Sequence, residues 1–215
     1  MNRHASSSTL FAAIVFAGTA LADTQTQGLT IARQGNGQGA PACMSCHGDK
    51  GQGNTAGGYP YLAGQPAQYL VKQLQDFAAG RRPAEVMGPF ASALSRQEME
   101  AVASYYAGLP LPETQTQPAA DAAEGARLAG EGKWSEGMPP CFQCHGDRGQ
   151  GIPPAFPAIA GQPAAYTRKQ LEYWRDGKRK NDPIGLMQSV VSGLDDSEIS
   201  AVSTYLAGLS RVDAK

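Results

Sequence analysis

Histidine is scarce in this chain: 215 residues hold only three, beside four cysteines, two tryptophans and no surplus of either charge. With 18 basic against 19 acidic residues, it lacks the basic excess that nucleic-acid binding calls for, so no nucleic-acid partner is expected. It also lacks any run that alternates apolar and polar residues like a half-buried strand, which excludes a sheet-based fold and leaves helix and loop. What is plentiful instead is Gly (26) and Pro (15), a composition that favours short helices joined by many turns.

No stretch is apolar for long enough to span a bilayer. Arg3 and His4 precede an uncharged run from Leu10 to Leu21 that closes on Ala20-Leu21-Ala22, a small-x-small site. Those twelve residues fall short of the roughly 20 apolar residues a membrane crossing needs. Residues 1–22 therefore read as a cleavable signal peptide, with the mature chain starting at Asp23 and exported to the periplasm. Arg3 and His4 leave with it, so the mature chain is slightly acidic and keeps only His47 and His145.

The chain repeats itself. Cys43-Met-Ser-Cys-His-Gly-Asp-Lys-Gly-Gln-Gly53 returns as Cys141-Phe-Gln-Cys-His-Gly-Asp-Arg-Gly-Gln-Gly151, and Leu62-Ala-Gly-Gln-Pro66 returns as Ile159-Ala-Gly-Gln-Pro163. Ser95 to Leu109 returns as Asp195 to Leu209, ending both times in Ala-Gly-Leu. Two copies of this length make a duplication, and each copy should be a domain. Between them, Pro110 to Pro118 has linker composition, Pro and small polar residues with no apolar period. The expected organisation is domain one at 23–112, linker at 113–120 and domain two at 121–215. A hydrophobic core of some 90 residues is marginal, and a large apolar cofactor would help it.

Within each copy the spacing predicts helices. One runs from Gln65 to Ala79, with Leu70, Leu74, Phe77 and Ala78 on a face and Gly80 as its stop; its partner runs from Gln162 to Asp176, with Tyr166, Leu171 and Trp174 on a face. A last helix starts at the capping box Ser95-x-x-Glu98 and buries Met99, Val102 and Tyr106, matched by one starting at Asp195-x-x-Glu198.

Cys43, Cys46 and His47 stand at i, i+3 and i+4, so one helical turn presents all three on a single face. That geometry suits haem c: two thiols add across the two vinyl groups and the imidazole reaches the iron from below the ring. Cys141, Cys144 and His145 repeat it. A four-cysteine zinc site spaces its pairs about 15 to 20 residues apart, far less than the distance from Cys46 to Cys141. A thioredoxin-like dithiol needs a preceding strand that neither copy has, and an i, i+3 disulfide within one turn would constrain almost nothing.

One histidine per haem excludes bis-histidine ligation and any distal histidine acting as acid or base, so the sixth iron position falls to methionine, another side chain or nothing. The repeat sorts the methionines. Met44 aligns with Phe142 and Met99 with Ile199, while Met138 sits just before Cys141 on the histidine side. Only Met87 and Met187 align with each other, both in loops between the two helices, and they are the expected sixth ligands; the bland alternative is a gap-filling core methionine. Such a pair raises the potential and closes the iron to substrates, which points to electron transfer with no small-molecule substrate and no catalytic residue. The basic run Lys178-Arg179-Lys180, with Arg81 and Arg82 in the first copy, reads first as a solvated face, and otherwise as a neighbour of haem propionates or of a partner's acidic patch.

These tandem motifs, with Leu/Ile-Ala-Gly-Gln-Pro, a late Met and the Tyr-Tyr-Ala-Gly-Leu or Tyr-Leu-Ala-Gly-Leu endings, resemble the dihaem cytochrome c₄ family over nearly all of the mature chain. The resemblance implies an all-α fold of two class I cytochrome c domains packed about a pseudo-two-fold axis. It implies an electron carrier between a quinol-oxidising bc₁-type complex and a terminal oxidase, with His47 and Met87 on one iron and His145 and Met187 on the other. One departure is a loop before Met187 that is three residues longer, Lys180-Asn-Asp-Pro-Ile-Gly-Leu186. Two other functions fit the same residues: the cytochrome subunit of a dehydrogenase complex, and a small dihaem oxidase or peroxidase with one open iron.

Overall fold

The computed structural model describes residues 23–111, 122–182 and 184–210. The expected signal peptide and the expected linker lie outside them. The described residues fold into helices and turns with no strand, only three isolated β-bridges. No helix among them is long and apolar enough to cross a membrane.

Among the described residues each repeat contributes five α-helices, and the second adds a 3₁₀ turn at Trp134–Glu136. In the first, α1 covers 23–34, α2 Met44–His47, α3 Ala67–Ala78, α4 Met87–Ser92 and α5 Arg96–Ala107. In the second, α6 is Ala122–Gly130, α7 Cys141–His145, α8 Ala164–Arg175, α9 Leu186–Val191 and α10 Asp196–Ala207. The helices read from periodicity appear as α3, α5, α8 and α10. Both capping boxes close in full: Ser95 Oγ accepts from the Glu98 N–H, Asp195 Oδ1 accepts from the Glu198 N–H, and each glutamate accepts from its cap residue's N–H in return.

Helices α1 and α6 are not among those expected from the sequence. Their glycines have a steric reason. Gly28 of α1 and Gly125 of α6 lie where these helices cross α5 and α10, and a Cβ there would stand 2.2 Å from the Ala101 carbonyl oxygen or 2.4 Å from that of Ala201. Only a helix without side chains at that point approaches so closely.

Two separate cores result. Ile31, Leu70, Val102 and Tyr106 centre the first, and Leu128, Val191, Ile199, Val202 and Leu206 the second. Met99 and Met138 are buried core residues, as the repeat alignment implies.

Candidate haem sites

Each attachment motif forms one short helix ending in a glycine of positive φ, Gly48 (83°) after α2 and Gly146 (84°) after α7. The chain then turns back so that His47 Nδ1 lies 2.8 Å from the Pro60 carbonyl oxygen and His145 Nδ1 2.8 Å from that of Pro157. A carbonyl can only accept, so Nδ1 carries the proton and Nε2 keeps its lone pair for a metal. Burial pulls both imidazoles below their usual pKa, against the Pro carbonyls, so the rings are neutral.

None of the four cysteines is paired in a disulfide. Burial pushes Cys43 and Cys141 up to about 11, the reverse of the lowered pKa a redox dithiol requires. Among the described residues no group of three or more His, Cys, Asp and Glu side chains is placed to hold a bare metal ion.

A cavity of about 640 Å³ runs through both halves and is lined by both cysteine pairs and both histidines. Met87 and Met187 line it too, but neither sits in a loop as expected: Met87 opens α4 and Met187 lies in the first turn of α9. The Asp182 carboxylate accepts from the Met187 and Ile184 N–H groups, fastening the start of α9.

The basic run divides rather than forming one solvated face. Lys178, Lys180 and Arg81 are exposed, while Arg82 and Arg179 are 5% and 2% exposed and meet between the domains. Both guanidinium groups donate to Gln73 Oε1 at 3.0 Å, and both donate to Gln170 Oε1. Arg82 also donates to Tyr166 Oη at 2.8 Å, so Tyr166 serves the domain interface rather than a helix core. Arg82 lies over the Phe77 ring at 4.5 Å and Arg179 over the Trp174 ring at 3.7 Å. Neither arginine pairs with a carboxylate among the described residues; burial and the Arg82 charge push Arg179 down to about 10. Trp174 Nε1 is likewise buried without a partner beside the cavity.

Two buried, unneutralised cations and an orphaned N–H donor in an apolar cavity fit a flat apolar ring carrying anionic carboxylates, and haem with its propionates is such a group. The chemistry of the donors agrees: two thiols and a neutral imidazole per half.

Two further polar devices join the halves. Gln65 Nε2 donates to the Ala158 carbonyl at 2.8 Å and its Oε1 accepts from the Ala158 N–H at 3.0 Å; Gln162 does the same to Tyr61 at 3.2 and 3.1 Å. Tyr61 Oη donates to the Ala160 carbonyl. The second device comes from the longer loop: Asn181 Nδ2 donates to Gln73 Oε1 and Asp76 Oδ2, and Lys72 Nζ to the Asn181 carbonyl. Sequence reasoning missed the functions of Gln65 and Gln162, and offered Arg82 and Arg179 as propionate neighbours only as the second reading of a solvated basic run. The available signal was a polar residue kept in both copies beside an apolar helix, with no catalytic motif to account for it.

The sequence profile of the family described as Cytochrome c matches residues 32–109 and again 122–210. The thiosulfate dehydrogenase electron acceptor of Thiomonas intermedia is 46% identical over 170 residues, 78% of each chain. Cytochrome c4 of Thiocapsa roseopersicina is 42% identical over 175 residues, 79% of this chain and 88% of that one. Among solved structures, reduced cytochrome c4 from Pseudomonas stutzeri superposes with a TM-score of 0.77 at 35% identity, covering 87% of this chain and 98% of that one. A thiosulfate dehydrogenase from Marichromatium purpuratum gives a TM-score of 0.82 at 37% identity; the match covers 89% of this chain but 41% of that longer one. The doubled profile, the paired attachment turns and the shared cavity together place the chain in the cytochrome c family, as a tandem-domain protein of the dihaem cytochrome c4 kind with two covalently bound haems c on Cys43/Cys46 and Cys141/Cys144.

Proposed function

We propose that this protein is an exported, periplasmic electron carrier in which His47 and Met87 hold one iron and His145 and Met187 the other, passing electrons from a dehydrogenase to a membrane terminal oxidase. The observation that carries the reading is the single cavity bearing a thiol pair, a neutral histidine and a methionine from each half. Each bound haem supplies a one-electron iron couple.

The chain's residues prepare those couples for fast, low-rearrangement exchange. Pro60 and Pro157 fix the imidazole planes, and burial keeps both rings uncharged and available at Nε2. Met87 and Met187 would be the thioether ligands that hold the irons, which would favour the reduced state and deny substrates a site. The glutamine clamps and the buried arginines hold the halves as one unit, and Arg82 and Arg179 offset propionate charge between them.

For the donor, the names of relatives at 46% and 44% identity, both thiosulfate dehydrogenase electron acceptors, favour a thiosulfate-oxidising dehydrogenase. A bc₁-type complex, implied by the family resemblance, is the alternative donor. Rapid mixing of the oxidised protein with each candidate under its own reductant discriminates them. Saturable reduction by the dehydrogenase with thiosulfate, and none by thiosulfate alone, is expected. Turnover of thiosulfate by this chain alone, or preferential reduction by the quinol-oxidising complex, overturns that assignment.

A further inference from the structure

The hydrogen bonds of the two axial histidines and of the two interface glutamines meet at the same peptide groups. The carbonyl that accepts from His47 Nδ1 belongs to Pro60, and the N–H of that same peptide unit belongs to Tyr61. That N–H donates to Gln162 Oε1, a side chain of the other domain, at 3.1 Å. In the other half, His145 Nδ1 faces the Pro157 carbonyl, and the N–H of the same peptide, on Ala158, donates to Gln65 Oε1 of the first domain at 3.0 Å. Both glutamines are almost wholly buried, at 2% and 5% exposure, so water does not compete for these bonds.

A peptide group conducts polarisation. Donating at its N–H shifts electron density onto its carbonyl oxygen, which then accepts more strongly, and in a buried chain of hydrogen bonds this strengthening is cooperative. A stronger acceptor at Nδ1 makes the imidazole a more basic ligand through Nε2, and a more basic axial ligand favours ferric iron and lowers the potential.

We propose that Gln162 and Gln65 are cross-domain positioning residues, each setting through one peptide group the basicity of the axial histidine in the opposite domain and so the potential of that domain's haem. The inference rests on the axial roles assigned to His47 and His145 above. It makes the docked state of the two halves a determinant of both potentials, and it gives the repeated Gln of Ala-Gly-Gln-Pro a redox function beside its structural one.

The sign separates this role from a merely structural one. Loosening the interface admits water, which favours the charged ferric centre and lowers a potential. Loss of the relay raises it, and in the domain the substitution does not occupy.

The test is the near-isosteric Gln162→Met in the full two-haem protein, with each haem assigned by the change its Met87→Ala or Met187→Ala variant produces. At fixed ambient potential, the ferrous-to-ferric ratio of the His47 haem should rise about twofold to fivefold, the size expected of a cooperative hydrogen-bond change, while the His145 haem stays put. In the reduced diamagnetic protein the His47 Nδ1 proton should move upfield and the His145 one should not. Gln65→Met should give the mirror result, and it carries the test if Gln162→Met does not assemble. An unmoved or lowered potential at the His47 haem, or a change confined to the substituted domain, overturns the proposal. If His47 and His145 were not axial ligands, the failure would show differently: the wild-type protein would lack sulfur-to-iron absorption and low-spin spectra before any glutamine was changed.

Discussion

At the scale of the residue, the chemistry falls to side chains matched between the two repeats. Met87 and Met187 line the cavity from the first turns of α4 and α9 and are the pair proposed to ligate the irons. Met87→Ala and Met187→Ala should each remove about half of the near-infrared sulfur-to-iron absorption and lower one potential, since thioether ligation raises it. An intact spectrum in either variant assigns that ligand elsewhere. Asp76 presents a different case. Burial alone would raise its carboxyl, but Lys72, Asn181 and Arg81 outweigh burial and hold it below its ordinary 3.8. A carboxyl depressed by folding contributes stability that is whole above the ordinary value and is lost as pH falls through the lower folded one. Asp76→Asn should therefore cost about 1–3 kcal/mol in denaturant unfolding near neutral pH, and the gap from the native protein should shrink as pH drops below 3.8. A gap independent of pH would deny the carboxylate that role.

The element scale shows what was legible in the sequence. Helices α3, α5, α8 and α10 carry start and stop signals, such as Ser95-x-x-Glu98 and Gly80, and lie within a residue or two of the expected bounds. The attachment turns were legible for a different reason: the thioether geometry permits one spacing. Helices α1 and α6 were not, because their defining residues, Gly28 and Gly125, matter through a crossing that exists only in three dimensions. The burial of Arg82 and Arg179 was illegible too, since a basic run is usually solvated and only the facing domain removes it from water. Gly28→Ala and Gly125→Ala test the crossing. Helix propensity alone would make each change favourable by about 1 kcal/mol, whereas the 2.2 and 2.4 Å approaches require overpacking that costs about 1–3 kcal/mol. Thermal unfolding should show a lower midpoint for both variants, and a raised midpoint would mean the helices part without cost.

For the whole molecule, the duplication yields two domains that are alike in their haem sites and unlike where they meet. The three added residues before Met187 bring Asn181 onto Gln73 and Asp76, a contact with no counterpart in the other direction, because Tyr173 stands where the repeat would place a second aspartate. The two haems therefore face different electrostatic surroundings, and their potentials should differ. The most direct measurement is a potentiometric titration of the intact protein followed in the visible and near-infrared. The account predicts two one-electron steps of unequal potential, both low-spin, both with sulfur-to-iron absorption in the ferric state, and ferrous spectra unchanged by carbon monoxide. A single step, a haem without that absorption, or stoichiometric carbon monoxide binding to one native ferrous haem would contradict it and turn the molecule from a carrier into an enzyme with an open iron.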